Sequence, residues 1–146
     1  MIVFNIAITI FTFLVMEFVA WFTHKYIMHG MLWNVHLDHH QVDKDKKLQK
    51  NDYFFLIFAL PSMAFIILGS INSNYLLFIG IGIALYGLAY FIVHEIIIHQ
   101  RIKIFRNTNS KYIRAIKRAH KIHHKNIEKE DGESFGMLIV PLKYFK

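Results

Sequence analysis

The sequence predicts an all-α integral membrane protein: three transmembrane helices, a fourth left open, and a helical cap on one membrane face carrying a histidine-rich site for two metals. Three observations predict it. Apolar runs at about 2–22, 53–70 and 75–93 lie in a chain of 146 residues that is 55% hydrophobic and 16% aromatic. All 17 Lys and Arg fall within Thr23–Asp52 or after Val93. The ten histidines obey the same division. The length suits one domain, 1–146, with segments 23–52 and 94–146 outside the membrane.

Ile2–Phe22 is interrupted only by small polar residues and Glu17. At about 1.5 Å per residue it can cross a hydrocarbon core of about 30 Å. No basic residue precedes it and no small-residue cleavage site follows, so a retained transmembrane helix is expected rather than a signal peptide. Thr23–Asp52 is polar and holds five histidines, Trp33 and the lysine-rich stretch Asp43–Lys50, and Asn51 and Asp52 suit the cap of the next helix. Tyr53–Ser70 is the second run, with Pro61 in its middle, where a kink is expected. The uncharged turn Ile71–Asn74 closes a hairpin, and Ser73 or Asn74 caps the third run, Tyr75–Val93, which continues through His94 to His99. Beyond Gln100 the chain is basic and polar, with a helix from Ser110 to about Lys125. Phe135–Pro141 is apolar but too short to span, so it lies in the interface or folds back over the site.

Cysteine is absent, which excludes disulfides, thiolate zinc sites, cysteine-ligated iron–sulfur clusters and a cysteine nucleophile. The net charge of +7 follows from membrane orientation. Basic residues stay cytoplasmic, so both histidine-bearing segments belong on the cytoplasmic face of the membrane. No nucleic-acid role is needed to explain that charge. Anionic headgroups or an acidic electron-donor protein suit the Arg101–Lys129 surface.

The histidines read H-x4-H, H-x2-H-H, H-x4-H, H-x2-H-H: His24 and His29; His36, His39 and His40; His94 and His99; His120, His123 and His124. Residues at i, i+3 and i+4 share a helix face, so each triplet can present three imidazoles together. An i, i+5 pair on an α-helix is about 140° apart. Either the helix unwinds within each pair, or its members address different metals; Gly30 suits a helix end there. Imidazole suits zinc, copper, iron and nickel. Ten imidazoles divided between two ions leave about one open position on each roughly octahedral metal, an arrangement for a dinuclear iron centre that handles dioxygen.

Other residues near these motifs are candidates for supporting the site or its substrate. Glu17, an ionisable group inside a span, points to function or to an interhelical hydrogen bond. Asp38 and Glu95 adjoin the motifs and suit either the orientation of imidazole N–H groups or a solvent-facing position. Gly80, Ala84, Gly87, Phe91 and His94 form one helical stripe, either a groove for a rod-like hydrocarbon or a close-packing face. Trp21, Trp33 and Tyr90 suit the lining of a substrate ring, and the two tryptophans equally suit anchoring at the membrane interface.

HKYIMHG (24–30), HLDHH (36–40), HEIIIHQR (94–101), AHKIHH (119–124) and SFGMLIVP (134–141) resemble the bacterial beta-carotene hydroxylases, within the membrane fatty acid hydroxylase and sterol desaturase superfamily. The resemblance runs from Glu17 to Pro141 and places all ten histidines as metal ligands. It implies a non-haem di-iron monooxygenase using O2 and electrons from a ferredoxin or an NAD(P)H-linked reductase. Such an enzyme hydroxylates carbon 3 of the beta-ionone rings of beta-carotene, drawn from the bilayer, giving cryptoxanthin and then zeaxanthin. The superfamily usually has four spans, where three are counted here. A fatty-acyl or sterol hydroxylase or desaturase is the alternative within the same chemistry. A metal transporter would need ligands near the membrane midplane, and a haem cytochrome would need fewer histidines.

Overall fold

Apolar composition becomes three helices long and apolar enough to cross a membrane: Ile2–Met31, Lys50–Ile71 and Leu76–Ile98, of mean hydropathy 2.3 to 2.4. They belong to a computed structural model that describes residues 1–41, 48–102 and 107–146, none of them in a strand. The α-helices are α1 (Ile2–Phe22), α2 (Trp33–His40), α3 (Phe55–Ile71), α4 (Leu76–Phe91) and α5 (Lys111–Lys125). Residues 43–47 of the lysine-rich stretch and 103–106 of the Arg101–Lys129 surface lie outside the described residues.

Two spans outrun their apolar sequence. α1 passes directly into a π-helical turn, Thr23–Met31, and α4 into another, Ile92–Ile98, so the H-x4-H pairs ride on the ends of spanning helices. The π stretch after α1 breaks at Gly30 (φ −105°, ψ −114°), which turns the chain into α2. The second span begins earlier than the expected Tyr53, through a 3₁₀ turn at Lys50–Phe54 that leads into α3. Its cap is Gln49, whose backbone N–H donates to Asp52 Oδ2 at 2.9 Å, and not Asn51 or Asp52. Asp38 causes the shift, because its carboxylate accepts the N–H groups of Lys50 and Asn51 and fixes the turn at that point. The cap of the third span matches expectation, and Ser110 caps α5. Asn74 Oδ1 accepts the N–H of Leu76 at 3.0 Å, and Ser110 Oγ that of Ile113 at 3.4 Å.

α4 packs on both α1 and α3. Apolar association gains little in lipid, so close approach has to come from small residues and hydrogen bonds. A Cβ on Gly82 would lie 2.7 Å from Thr12 Cβ and 2.8 Å from Thr9 O; one on Gly80 would lie 2.7 Å from Ile66 N and 2.8 Å from Ser62 O. Thr9 Oγ donates to Phe78 O at 3.3 Å and Ser62 Oγ to Gly80 O at 2.8 Å, which ties both contacts. Among the described residues, Met16, Ala20, Ile83 and Tyr86 form the buried apolar cluster between the spans, while Phe4, Leu14, Phe18, Leu60, Ile67 and Leu88 are exposed on the outside. In the cap, α5 seats Ala115 and Ala119 against Tyr144 of a terminal 3₁₀ turn, Leu142–Phe145. Phe135–Pro141, which precedes that turn, folds back towards α1.

Candidate metal centre

The π turns settle how each H-x4-H pair works. Their bonds run from residue i to i+5: Leu32 N–H donates to Ile27 O and His99 N–H to His94 O, both at 2.9 Å. Residues five apart therefore come back to one side of the helix. The ring centroids of His24 and His29 are 5.2 Å apart and those of His94 and His99 4.5 Å. The helix widens rather than unwinds, and both members of a pair face the same centre.

Two groups result. Ring nitrogens of His24, His29, His36, His40 and His123 all lie within 4.8 Å of one another, as do those of His39, His99, His120 and His124. His94 joins the second group through Nε2, 3.2 Å from His39 Nε2. The triplets do not present three rings to one point. In each, the second histidine crosses to the group built by the other half of the chain: His39 joins the later residues and His123 the earlier ones. The repeat in the sequence thus becomes a pseudo-symmetric, interlocked pair of nitrogen clusters.

Hydrogen bonds around the clusters fix the tautomers. Nδ1 of His24 faces Phe135 O (3.0 Å), that of His29 Lys129 O (3.2 Å), His40 Asn126 O (2.8 Å) and His123 Glu133 O (2.9 Å). Side-chain oxygens serve the others: Asn51 Oδ1 for His36 (2.6 Å), Gln49 Oε1 for His39 (3.0 Å) and Glu95 Oε1 for His94 (2.6 Å). A carbonyl or carboxylate oxygen only accepts, so Nδ1 carries the proton in all seven. A neutral imidazole has no second proton, and Nε2 is left with a bare lone pair. Yet Nε2 meets Nε2 at 3.1 Å for His24 and His36, and at 3.2 Å for His36 and His40, His29 and His123, and His39 and His94. All four contacts join members of that set of seven. Opposed lone pairs at this distance repel unless a cation lies among them.

Protonation does not relieve the repulsion. Burial, helped by the neighbouring imidazoles, lowers His36, His123 and His124 to about 2, His99 to about 3 and His40 to about 4, and holds His39 and His120 well below the ordinary 6.5. His124 Nε2 is buried without a hydrogen-bond partner. Neutral imidazoles with converging lone pairs, each fixed by an acceptor behind it, are the state in which histidine binds a metal. The donor set fits two imidazole-ligated ions.

An outer network ties the supporting residues together. Glu95, besides accepting from His94, lies 2.6 Å from Arg101 Nε; Arg101 Nη2 donates to Asp52 Oδ1 at 2.7 Å. Asp52 in turn caps Gln49, the partner of His39. Glu95 thus touches a cluster histidine directly, whereas Asp38 works through the turn that carries Asn51. Gln49, Asn51 and Arg101 were not singled out as supporting residues from the sequence. Only Arg101 had a signal there, as a cation two residues after His99.

Glu17 touches no histidine. It bonds Tyr86 across to α4 and the backbone of residues 137–139. Neither Trp21 nor Trp33 lines the cavity among the spanning helices. Trp21 stacks on Phe18 (5.7 Å) beside Lys25, and Trp33 lies against His29 (4.9 Å) and His40 (5.3 Å). Trp33 opens α2 after the break at Gly30 and so packs beside His40 of the same helix, while Trp21 precedes the π turn and stays with Phe18 on α1. Tyr90 does face a cavity and stacks on His94 at 4.9 Å.

That cavity, of about 700 Å³, lies among α1, α3 and α4. Phe58, Met63, Ala84, Gly87 and Phe91 line its apolar part, while His24, Asn51 and Glu95 lie at its polar end. Only His24 of the ten histidines lines it. The Gly80 stripe therefore divides: Gly80 is a packing contact with α3, while Ala84, Gly87 and Phe91 form cavity wall. A Cβ on Gly87 would meet nothing within 4 Å.

Residues 9–142 match the fatty acid hydroxylase family. The chain is 39% identical over 139 residues to the beta-carotene hydroxylase of Pantoea ananas, covering 95% of this chain and 79% of that one. It is 36% identical over 138 residues to the beta-carotene hydroxylase of Paracoccus sp. (strain N81106 / MBIC 01143), covering 94% and 85%. Against the chloroplastic beta-carotene hydroxylase 2 of Capsicum annuum the identity is 32% over 130 residues, 86% of this chain but 41% of that one. No solved structure matches it.

Proposed function

The chain belongs to the fatty acid hydroxylase family, and from that premise we propose that it is a carotenoid 3-hydroxylase, acting on the beta-ionone rings of beta-carotene to give cryptoxanthin and zeaxanthin. One observation carries the reading: clusters of opposed imidazole lone pairs stand at the end of an apolar cavity among membrane helices. His24, His29, His36, His40 and His123 would hold one iron, and His39, His94, His99, His120 and His124 the other. Iron at this centre supplies activation of O2 and oxidation of an unactivated C–H bond.

The chain's own residues do the rest. Phe58, Met63 and Phe91 form the apolar wall, and Met63 and Phe91 are about half-exposed, which suits entry of a hydrocarbon from the bilayer. About 700 Å³ accommodates one ring and part of a polyene, not a whole carotenoid, so the remainder stays in lipid. Gly87 leaves room beside Tyr90, whose ring is held against His94. Burial keeps His36, His39, His40, His120 and His123 neutral.

The cluster end of the molecule faces the cytoplasm in this reading, by the distribution of Lys and Arg. Electrons come from an acidic ferredoxin-like donor. Lys111, Arg114, Arg118, Lys121 and Lys125 are exposed along one side of α5, whose opposite side carries His120 and His123. Product analysis in a beta-carotene-accumulating host, with iron measured on the purified protein, tests the proposal. Ring-hydroxylated products and about two irons per chain are expected. Oxygen appearing only in acyl chains would overturn the carotenoid assignment.

A further inference from the structure

Glu17 is 7% exposed in the apolar α1 and makes no contact with the histidine clusters, yet both of its oxygens are engaged. Oε1 accepts three successive backbone N–H groups, those of Met137 (3.0 Å), Leu138 (2.9 Å) and Ile139 (2.9 Å). Oε2 accepts from Tyr86 Oη at 2.8 Å. Residues 137–139 are in neither helix nor strand. Glu17 lies seven residues before His24, about 10 Å down the helix axis, so this irregular segment runs at the depth of a spanning helix. Backbone there must have its N–H groups satisfied by protein. One carboxylate does this for three of them. Gly136 permits the approach, since a Cβ at that position would be 3.2 Å from Glu17 Oε1.

What is pinned matters to the site. Two residues before Met137, the Phe135 carbonyl accepts from His24 Nδ1, and the Phe135 ring lies 5.0 to 5.4 Å from the rings of His24, His29 and His123. Phe135 and Met137 are also cavity wall. We propose that Glu17 is a positioning residue: by fixing the backbone of 137–139 it seats residues 135–141 as a strap, which sets the tautomer of His24 and closes one wall of the cavity. The effect on His24 rests on the metal-site reading above; the latch itself does not.

The absence of cysteine makes a clean test available. With Met137→Cys as the sole thiol, maleimide labelling in membranes reports whether the strap is seated. Glu17→Leu, which favours insertion of α1, is expected to raise the labelling rate at least tenfold and to weaken ferrous-iron binding about tenfold. Glu17→Gln keeps an amide oxygen for the three N–H groups and should restore protection and iron binding. A buried carboxylate with no latch role would give no such rescue. Unchanged labelling in Glu17→Leu would overturn the proposal, as would faster labelling with unaltered iron affinity. If the parent protein bound no iron, the proposed function would fall, and labelling alone would still decide the latch.

Discussion

Replacing Asn51 with leucine isolates what the groups behind the imidazoles contribute. His36 is 1% exposed, and its Nδ1–H donates to Asn51 Oδ1 at 2.6 Å. Without that acceptor, His36 has two courses. It can keep its tautomer and bury an unpaired N–H, at a cost of about 1–3 kcal/mol. Or it can move the proton to Nε2, which removes the lone pair now facing His24 at 3.1 Å and His40 at 3.2 Å. Either course weakens the first cluster as a ligand set. Loss of such a partner typically costs about 10–100-fold in metal affinity, or about 1.4–2.7 kcal/mol. The assay is competition for ferrous iron against a chelator in detergent, comparing Asn51→Leu with Asn51→Asp. Aspartate keeps the acceptor and should stay within a few-fold of the parent. Parental affinity in Asn51→Leu would refute the claim that the oxygens behind the rings fix their tautomers.

Gly87→Phe should fill the cavity beside Tyr90 and lower kcat/KM for beta-carotene at least tenfold, about 1.4 kcal/mol, with iron content unchanged; undiminished turnover would place the substrate elsewhere. Trp21→Ala, outside the cavity, should keep turnover within about twofold in the same assay. Gly82→Leu forces apart α1 and α4 and should lower stability in detergent by about 1–3 kcal/mol, read as a fall in the unfolding midpoint. For pH, His36, His123 and His124 take protons only near 2 when folded and His99 near 3, against about 6.5 when unfolded. The unfolded chain binds more protons between those limits, so the metal-free protein loses stability as pH falls below about 6.5. Equal denaturation midpoints at pH 7.5 and pH 5 would contradict it.

The three spans and the convergence of all ten histidines were legible because apolar length and residue spacing are local properties of a sequence. The geometry within a pair was not. An i, i+5 separation predicts a 140° splay only on an α-helix, and nothing in HKYIMHG or HEIIIHQR announces a π turn. Long-range partners were hidden for a different reason. Glu17 finds its acceptor role 120 residues away, and Asn51 reaches His36 only because Asp38 starts the 3₁₀ turn where it does. Trp21 and Trp33 sit close to the histidine motifs in sequence, but Trp21 packs on Phe18 and Trp33 on His29 and His40, so neither reaches the cavity.

The exchange of His39 and His123 between the clusters has a consequence for how the protein is made. Residues 24–40 emerge from the ribosome carrying four members of the first cluster and one of the second. Neither set closes until α5 is synthesised and folded onto α2, after every spanning helix is complete. A chain interrupted before residue 123 has neither ligand set complete, so under the proposed function iron would be retained only by protein that already has its membrane cavity built around it.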